Sequence, residues 1–555
     1  MLKEVRKIIK EVVGGDDFSV SYTEHAGFGH VTSNVAMVMA RNLKQNPKDV
    51  ANDIATKLGA FDIFQKVEVA GPGFVNFFLT DDFILRSLAS GINIDSEYKN
   101  KKVLVEYTDP NPFKVFHIGH LMTNIIGESV VRIYEAAGAD VKRVNYQGDV
   151  GRHIAINIYA ILKEDNYKKF LELKTSDLDI KEKVKWLGEK YAEGYKDFDG
   201  QDEGSQVVNS VTDINKKIYE KSDNTINDIY ETGRNWSLEY FETLYKKLDT
   251  KFDEYIFESE AAPIGIKKVL DNVGRVFEVG DEGAIIYDGE KVGLHKRVFI
   301  NKNGLPTYEA KDLGNMEEKK RRLGDFEKSV VITANEQSDY FKVLYSAIND
   351  LGICDKEKLV HIGHGMMRFS DGKMSSRKGN IIAGDELIED IKNILKEKFD
   401  SSRIDNELEK EETLESVAIA SLKYSILKQA LGRDVVFDMD KAISVEGDSG
   451  PYLQYTYARL NSVAKENDSK IQITESNASL VLELAKYSDV LQEVANETAP
   501  QKMSSYLVSL AREANSWYAS NKIAGDQSNE LLAYKIKTTL KSGLYILGIK
   551  TPERM

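Results

Sequence analysis

The chain has 555 residues, of which 42% are hydrophobic and 30% charged, and its formal net charge is −14. That length accommodates about two to four domains with cores of their own, and no segment approaches the roughly 18 consecutive apolar residues of a membrane span. Cys354 is the only cysteine, which excludes an internal disulfide and a thiolate zinc cluster within one chain. We therefore expect a cytoplasmic protein, free of the membrane and without a dedicated metal site.

Residues 1–95 predict a small α+β domain. Helical apolar spacing occurs at 1–13 and 33–60, and β-rich runs occur at 64–69 and 74–80. The sequence Gly71-Pro72-Gly73 predicts a turn between the two β-rich runs.

Residues 96–395 predict a larger α/β domain. Its β-rich runs at 102–108, 141–146, 296–300, 329–334 and 359–363 alternate with helical stretches, which is the pattern of a doubly wound parallel sheet. A charged stretch at about 155–255 is helical in pattern and predicts an insertion between the two halves of that sheet. After an acidic linker, residues 400–555 predict an all-α helical bundle.

The tetrapeptide His117-Ile118-Gly119-His120 lies where a β-rich run gives way to a helical apolar repeat. Backbone N–H groups at a helix start lack intrahelical partners, and two histidines three residues apart lie on the same side of the first turn. Four donors can therefore converge on one anion, which predicts a phosphate site. The alternative is an ordinary helix start whose histidines are satisfied within the fold.

A second copy of the tetrapeptide, His361-Ile362-Gly363-His364, shows that the four letters alone do not suffice. No helical apolar repeat follows it, and the chain continues instead to an Asp371-Gly372 turn. We therefore expect no phosphate binding by the second copy.

A basic segment follows the Asp-Gly turn. It holds three cations and two hydroxyls in the run Lys373-Met374-Ser375-Ser376-Arg377-Lys378. Cations on such a loop can close over a polyphosphate and stabilise the negative charge that develops on a departing pyrophosphate. The alternative is an exposed basic hairpin. With the first tetrapeptide, the segment predicts both halves of a nucleotide site.

These two motifs resemble the HIGH and KMSKS motifs of class I aminoacyl-tRNA synthetases, and the surrounding residues resemble the arginyl-tRNA synthetases in particular. The similarity covers nearly the whole chain and rests on these residues and runs: 27–29, Asn34, 71–76, Glu106, Asn111, Lys114, 145–151, 304–308, Asp312, Gln337, 447–455 and Arg459. Ser376 stands where the KMSKS pattern has its second lysine. The resemblance implies that Lys114 supplies the missing charge.

The resemblance implies an arginine–tRNA ligase that uses L-arginine, ATP with its Mg²⁺, and tRNA(Arg). We expect it to act as a monomer. It implies a Rossmann-like catalytic domain between an N-terminal tRNA-binding α+β domain and a C-terminal anticodon-binding bundle. The catalytic residues that it implies are Lys114, His117, His120 and Lys373. The residues that it implies around ATP are His117, Gly119, His120, Met374, Ser375, Ser376 and Arg377.

Recognition of arginine requires fixed carboxylates, because a planar guanidinium pairs best with bidentate acceptors. Asp312 is the leading candidate, and Tyr308 is expected beside it. The resemblance adds three residues for the ammonium and polar groups of the amino acid, namely Glu106, Asn111 and Gln337.

Contacts with tRNA are expected at both ends of the chain. Aromatic rings and guanidinium planes can stack on unpaired bases, although most such aromatics are core residues. The candidates are Asn34 in the N-terminal domain and Tyr455, Arg459 and Trp517 in the C-terminal bundle.

Two other functions compete with this interpretation. A small-molecule nucleotidylyltransferase could share the first motif, but it would need neither an anticodon-binding domain nor 555 residues. A non-catalytic RNA-binding relative could share the fold, but such relatives commonly lack one of the two phosphate motifs. Cysteinyl and glutamyl synthetases fit less well, because the former bind zinc through thiolates and neither matches the set Tyr308, Asp312 and Gln337.

Overall fold

The computed structural model of the chain describes residues 1–15, 17–24, 26–92, 94–370, 382–398 and 406–555. Within these ranges the chain forms a small antiparallel domain, a parallel-sheet domain with a helical insertion, and a helical bundle. Short 3₁₀ turns occur at Ala26–Phe28, Asp281–Gly283, Gly289–Val292, Asn335–Gln337 and Lys356–Lys358. None of the described helices is long and apolar enough to cross a membrane.

The N-terminal part packs helices on a four-stranded antiparallel sheet of order β1-β2-β4-β3. The predicted helical stretch 33–60 is two helices, because Asn46 accepts the N–H of Lys48 and Pro47 starts a new helix there. The elements are α1 (Leu2–Val13), β1 (Val20–Tyr22), β2 (Val31–Ser33), α2 (Val35–Leu43), α3 (Pro47–Leu58), β3 (Phe64–Ala70), β4 (Phe74–Leu79) and α4 (Asp81–Ala89).

The central sheet has five strands in the order β12-β11-β5-β6-β7, and every neighbouring pair is parallel. The predicted doubly wound α/β fold is confirmed. The strands are β5 (Lys102–Glu106), β6 (Asp140–Gln147), β7 (Glu254–Phe257), β11 (Lys328–Ala334) and β12 (Leu359–His364). The accompanying helices are α5 (Ile118–Ala136), α11 (Glu258–Leu270), α12 (Tyr308–Leu323), α13 (Ser338–Asp350) and α14 (Gly384–Lys398).

One predicted strand lies in a different sheet. The run 296–300 forms β10 (Arg297–Ile300), which pairs antiparallel with β9 (Ile285–Tyr287), and β9 pairs with β8 (Glu278–Val279). Its partner is thus the preceding strand in the sequence rather than a distant parallel strand. One edge strand of the central sheet is instead β7, which the sequence pattern did not predict.

Five helices separate β6 from β7, where a helical insertion was expected. They are α6 (Arg152–Ile161), α7 (Glu164–Thr175), α8 (Ile180–Phe198), α9 (Gln206–Glu220) and α10 (Asn224–Lys247). The C-terminal part is a helical bundle, as predicted. A short parallel pair, β13 (Met367–Phe369) with β14 (Val435–Phe437), joins it to the parallel-sheet domain. The helices of the bundle are α15 (Glu407–Leu427), α16 (Met439–Ala442), α17 (Gly450–Asn461), α18 (Ala478–Ala485), α19 (Tyr487–Glu497), α20 (Pro500–Ser520) and α21 (Gln527–Ile546).

Helix α5 is buried along most of its length and is held from two sides. Its Glu128 accepts hydrogen bonds from Arg132 at 2.8 Å and from Arg143 of β6 at 3.2 Å. On the other side, the hydroxyl of Ser129 donates to the carbonyl of Ile546 at 2.9 Å. The central sheet and the C-terminal bundle thus fix the helix that begins after His117.

Candidate active site

The first tetrapeptide caps the amino end of α5. The Nδ1 atom of His117 accepts the backbone N–H of His120 at 3.4 Å, and the Nδ1 atom of His120 accepts the N–H of His117 at 3.3 Å. The two imidazole rings stack with their centroids 3.7 Å apart. A Cβ atom on Gly119 would stand 2.8 Å from Cε1 of His117, so only glycine leaves room for this ring position.

This geometry assigns the proton on each ring. A neutral imidazole carries one proton, and an Nδ1 atom that accepts an N–H leaves that proton on Nε2. Burial, assisted by Lys114, lowers the pKa of His117 to about 4. Burial and the neighbouring His117 lower the pKa of His120 well below its usual range. Both rings are therefore neutral at pH 7, and each carries one Nε2–H donor.

The segment 382–384 lies against the tetrapeptide. The N–H of Ile118 donates to the carbonyl of Ile382 at 3.2 Å, and the N–H of Gly384 donates to the carbonyl of Phe116 at 2.7 Å. Residue 382 is the first described residue after the basic segment. The predicted site residues Lys373, Met374, Ser375, Ser376 and Arg377 themselves lie outside the described residues.

Lys114 lies between β5 and α5, and its Nζ atom is 5.0 Å from the centroid of the Tyr191 ring on α8. Burial lowers the pKa of Lys114, and the carboxylate of Glu258 opposes that shift. The positive charge of Lys114 in turn lowers the pKa of His117 and of His120. The structure thus brings the three described catalytic candidates, Lys114, His117 and His120, together.

Asp312 lies on α12, and its Oδ2 atom accepts the hydroxyl of Tyr340 at 2.5 Å. Burial raises the pKa of Asp312 to about 8, the Tyr340 hydrogen bond opposes the rise, and Glu106 and Glu258 reinforce it. The charges of Asp312, Glu106 and Glu258 therefore interact. Glu106 and Glu258 are paired with Lys319 and Lys311, whereas Asp312 has no ion-pair partner among the residues that the structure describes. A cation bound beside Asp312 would favour its charged form, so this acidic cluster suits a cationic ligand.

Glu106 and Asn111 lie where β5 ends. The Oε2 atom of Glu106 pairs with Nζ of Lys319 at 2.8 Å and accepts the amide of Asn315 at 2.8 Å. This carboxylate is thus already anchored to α12. Asn111 approaches the next strand closely, since a Cβ atom on Gly148 would stand 2.1 Å from its Oδ1 atom.

Tyr308 and Gln337 are the exposed members of the predicted arginine set. Tyr308 is the first residue of α12 and is 65% exposed, and Gln337 directly precedes α13. Gln337 follows the carboxyl end of β11, as Asn111 follows that of β5. Because the carboxyl ends of parallel strands meet at one edge, the two lie at the edge where such sheets bind ligands.

Two buried residues at this edge were not predicted. The Nζ atom of Lys311 is 2.6 Å from Oε2 of Glu258, and both side chains are buried. Burial alone would lower the pKa of Lys311, but the Glu258 carboxylate raises it to about 12. Glu258 begins α11 directly after β7, so recognition of that strand would have pointed to it.

The residues expected to contact tRNA lie in different surroundings. The Oδ1 atom of Asn34 accepts the N–H of Ser19 at 2.7 Å. Tyr455 and Arg459 lie half-buried on α17, and the Arg459 guanidinium lies 4.0 Å from the centroid of the Tyr518 ring.

The structure corrects the prediction for Trp517. This side chain is only 2% exposed and belongs to the core of the bundle, so it cannot stack on RNA in this structure. The buried residues Leu510, Ala514 and Trp517 follow one another at intervals of four and three on α20. That spacing, typical of a core-facing helical stripe, is the signal in the sequence that identifies Trp517 as a core residue.

The second tetrapeptide forms the end of strand β12 and therefore offers no helix start. No group of three or more His, Cys, Asp or Glu side chains in the described parts of the chain is placed to hold a metal ion.

Comparison with known protein families shows which family the chain belongs to. Residues 84–439, more than half of the 555, match the family model for the catalytic domain of class I (R) tRNA synthetases. The chain belongs to the arginyl-tRNA synthetase family. Residues 1–79 match the arginyl-tRNA synthetase N-terminal domain, and residues 453–555 match the DALR anticodon-binding domain.

Relatives in the family cover most of the chain. An arginine–tRNA ligase of Fusobacterium nucleatum subsp. nucleatum is 30% identical over 560 residues, which cover 97% of this chain and 95% of that protein. One from Borreliella afzelii is 32% identical over 475 residues, which cover 81% of this chain and 79% of that protein.

Solved structures share the fold. The arginyl-tRNA synthetase of Thermus thermophilus superimposes with a TM-score of 0.81 at 22% identity over 100% of both chains. That of Plasmodium falciparum gives 0.79 at 22% identity, over 100% of this chain and 99% of the other.

Proposed function

We propose that the chain is an arginine–tRNA ligase, which activates L-arginine with ATP to arginyl-adenylate and transfers the arginyl group to the 3′ end of tRNA(Arg). The observation that carries the proposal is the acidic cluster of Asp312, Glu106 and Glu258, together with the donor pair His117 and His120. Glu258 connects the two parts, because its charge raises the pKa of Asp312 and opposes the lowered pKa of Lys114.

The pocket selects the amino acid. The ionised carboxylate of Asp312 would accept the guanidinium of arginine, with Tyr340 fixing the orientation of its Oδ2 atom. Tyr308 would cover the side chain, and Gln337, Asn111 and Glu106 would bind the ammonium end. Lys319, already paired with Glu106, would hold that carboxylate in place.

Activation is a displacement at phosphorus. A carboxylate oxygen of arginine attacks the α-phosphorus of ATP, the bond from that phosphorus to the bridging oxygen breaks, and pyrophosphate leaves. The Nε2–H groups of His117 and His120 and the ammonium of Lys114 would donate to the phosphate oxygens as charge develops on them. Lys373 and its neighbours, together with Gly119, would complete the ATP contacts. Mg²⁺ would arrive with ATP and share its negative charge.

Transfer needs no side-chain nucleophile. A hydroxyl of the terminal tRNA adenosine, the 2′-hydroxyl by resemblance to class I enzymes, attacks the adenylate carbonyl, and AMP leaves. The matches to an N-terminal domain and an anticodon-binding domain support recognition of tRNA at both ends of the chain. Asn34, Tyr455 and Arg459 are the candidates for these contacts. We propose further that the enzyme acts as a monomer in the cytoplasm.

Pyrophosphate exchange tests the proposal. We expect exchange of labelled pyrophosphate into ATP with arginine among the twenty amino acids, measured with and without total tRNA. An Asp312→Asn variant should lose this exchange. The matched control is Asp350→Asn, because Asp350 also accepts a tyrosine hydroxyl, that of Tyr287 at 2.7 Å, but away from the pocket. Absence of arginine-dependent exchange under both conditions would overturn the assignment.

A further inference from the structure

The second tetrapeptide is not a helix start, but Thr123 links it to the first one. In a strand, residues three apart point to opposite faces of the sheet. The Nε2 atom of His361 is therefore directed to Thr333 of β11, at 2.8 Å, and the ring stacks on Phe341. The Nε2 atom of His364 is directed to the other face, where it lies 2.9 Å from Oγ1 of Thr123 on α5.

Thr123 lies one turn inside α5. Its hydroxyl oxygen is 2.9 Å from the carbonyl of Gly119, within the first tetrapeptide, and 2.9 Å from Nε2 of His364. Both side chains are buried, with His364 only 4% exposed. This hydroxyl therefore bridges two groups, one in the turn of the first tetrapeptide and one at the end of β12.

The other ring nitrogen of His364 shows which group donates in the hydrogen bond between Thr123 and His364. The Nδ1 atom of His364 is 2.7 Å from the carbonyl of Gly365, which can only accept, so Nδ1 carries the proton. Burial lowers the pKa of His364, and the ring is neutral at pH 7. Its Nε2 atom is thus an acceptor, and the hydroxyl of Thr123 donates to it.

The end of β12 is a firm support for this contact. A Cβ atom on Gly365 would stand 2.4 Å from the backbone of Arg433, so the strand and the segment 433–434 touch directly. The N–H of Met366 also donates to Oδ1 of Asp434 at 2.9 Å. His364 therefore cannot follow a shift of α5 without moving this packed region.

We propose that His364 is a positioning residue of the active site, which holds the first turn of α5 in register with the central sheet through Thr123. The inference rests on the proposed function, because the turn that it positions is the one assigned to the phosphates. Without this acceptor, the hydroxyl of Thr123 turns fully to the carbonyl of Gly119. The donors of the first tetrapeptide then lose their fixed place relative to the pocket on the strand ends.

The test is the kinetics of arginine-dependent pyrophosphate exchange by the full chain at a temperature where every variant is folded. We expect His364→Phe, which removes the acceptor, to lower kcat about tenfold while KM for ATP changes less than about twofold. Thr123→Val should have the same effect. The double variant should be no worse than either single one, because both remove one interaction.

Conservative variants separate positioning from simple packing. His364→Gln, whose amide oxygen can take the place of the Nε2 acceptor, should restore most of the turnover, and His364→Asn, which is too short, should not. Tyr287→Phe removes hydrogen bonds of another buried side chain, those to Ser346 and Asp350, and should leave kcat unchanged. This control shows the effect of a comparable loss elsewhere in the fold.

The outcomes distinguish the two proposals. Wild-type exchange together with unchanged kcat in His364→Phe and Thr123→Val overturns the positioning role alone. A lowered melting temperature with unchanged kcat does the same, since it shows a purely structural contact. If His364→Phe does not fold, equal turnover of His364→Gln and His364→Asn overturns the inference. No arginine-dependent exchange by the wild-type chain overturns the proposed function and the inference with it.

Discussion

His117 and His120 each accept the backbone N–H of the other through Nδ1, across 3.4 and 3.3 Å. The two nitrogens of each ring thus have separate tasks. The Nδ1 atoms complete the helix start, and the Nε2–H groups are left to donate to a ligand. The two tasks can be removed one at a time, because asparagine reproduces the position of Nδ1 and glutamine that of Nε2.

The first prediction uses this difference at His120. We expect His120→Asn to keep the cap but to lower kcat of pyrophosphate exchange by about 10²–10³, since it removes one donor to the developing charge. His120→Gln should retain more turnover and have the lower melting temperature of the two. Steady-state exchange kinetics and thermal melts provide both readings. If His120→Asn lowers ATP binding as much as kcat, the assigned role is wrong.

The second prediction concerns pH. Burial raises the pKa of Asp312 to about 8, so the free enzyme holds this carboxyl largely protonated at pH 7. Binding of a guanidinium requires the carboxylate, so arginine binding should release a proton, and Kd should fall about tenfold for each pH unit gained below 8. Calorimetry in buffers of different ionisation enthalpy measures both quantities.

The raised pKa of Asp312 can also be tested by measuring melting temperatures. A carboxyl whose folded pKa is raised contributes stability below its unfolded pKa of about 4 and loses that contribution as the pH rises towards 8. Saturating arginine should therefore raise the melting temperature more at pH 8 than at pH 6. A Kd that stays constant between pH 6 and pH 8, without proton release, would show that Asp312 does not hold the guanidinium.

The third prediction concerns Gly148. A Cβ atom there would stand 2.1 Å from Oδ1 of Asn111 and 3.4 Å from Oε1 of Glu258. We expect Gly148→Ala to displace Asn111 and to raise KM for arginine about tenfold or more, with a smaller effect on KM for ATP. Gly15→Ala is the matched control, because no atom lies within 4 Å of the added methyl group. Equal changes in both KM values would mean that the strand end is distorted as a whole.

The fourth prediction concerns Lys114. Its positive charge lowers the pKa of both His117 and His120. In our proposal it replaces the lysine that is absent at Ser376. Lys114→Met should lower kcat of activation about a hundredfold, and Lys114→Arg should retain part of it, because a positive charge remains near the leaving group. Rapid-quench measurement of adenylate formation isolates this step. Unchanged activation kinetics in Lys114→Met would remove the hypothesis.

The sequence correctly predicted that a helix starts at the first tetrapeptide, because both signals for it are local, a buried strand before it and a helical repeat after it. The sequence did not predict correctly which sheet each strand joins. The run 296–300 was correctly identified as a strand, but its pairing with β9 is a tertiary choice that strand propensity does not contain. The four residues of β7 follow a long helical insertion and include only one buried side chain, so their pattern is weak.

The candidate site residues that the sequence indicates are those whose signals are local. Asp312 and Tyr308 lie near the start of one helix, whereas Lys311 and Glu258 lie on two helices and are 53 residues apart in the sequence. No spacing rule connects such partners. Thr123 and His364 are 241 residues apart in the sequence. Their contact depends on which face of β12 His364 points to, and the repeated tetrapeptide gave no indication of that.

Charging of tRNA tests the central claim most directly. Unfractionated tRNA from the organism that supplies this chain is incubated with the chain, ATP and each of the twenty labelled amino acids in turn, and acid-precipitable label is counted. We predict ATP-dependent charging with arginine alone, lost in Asp312→Asn and kept in Asp350→Asn. Charging with a different amino acid, or none with arginine, would contradict the account.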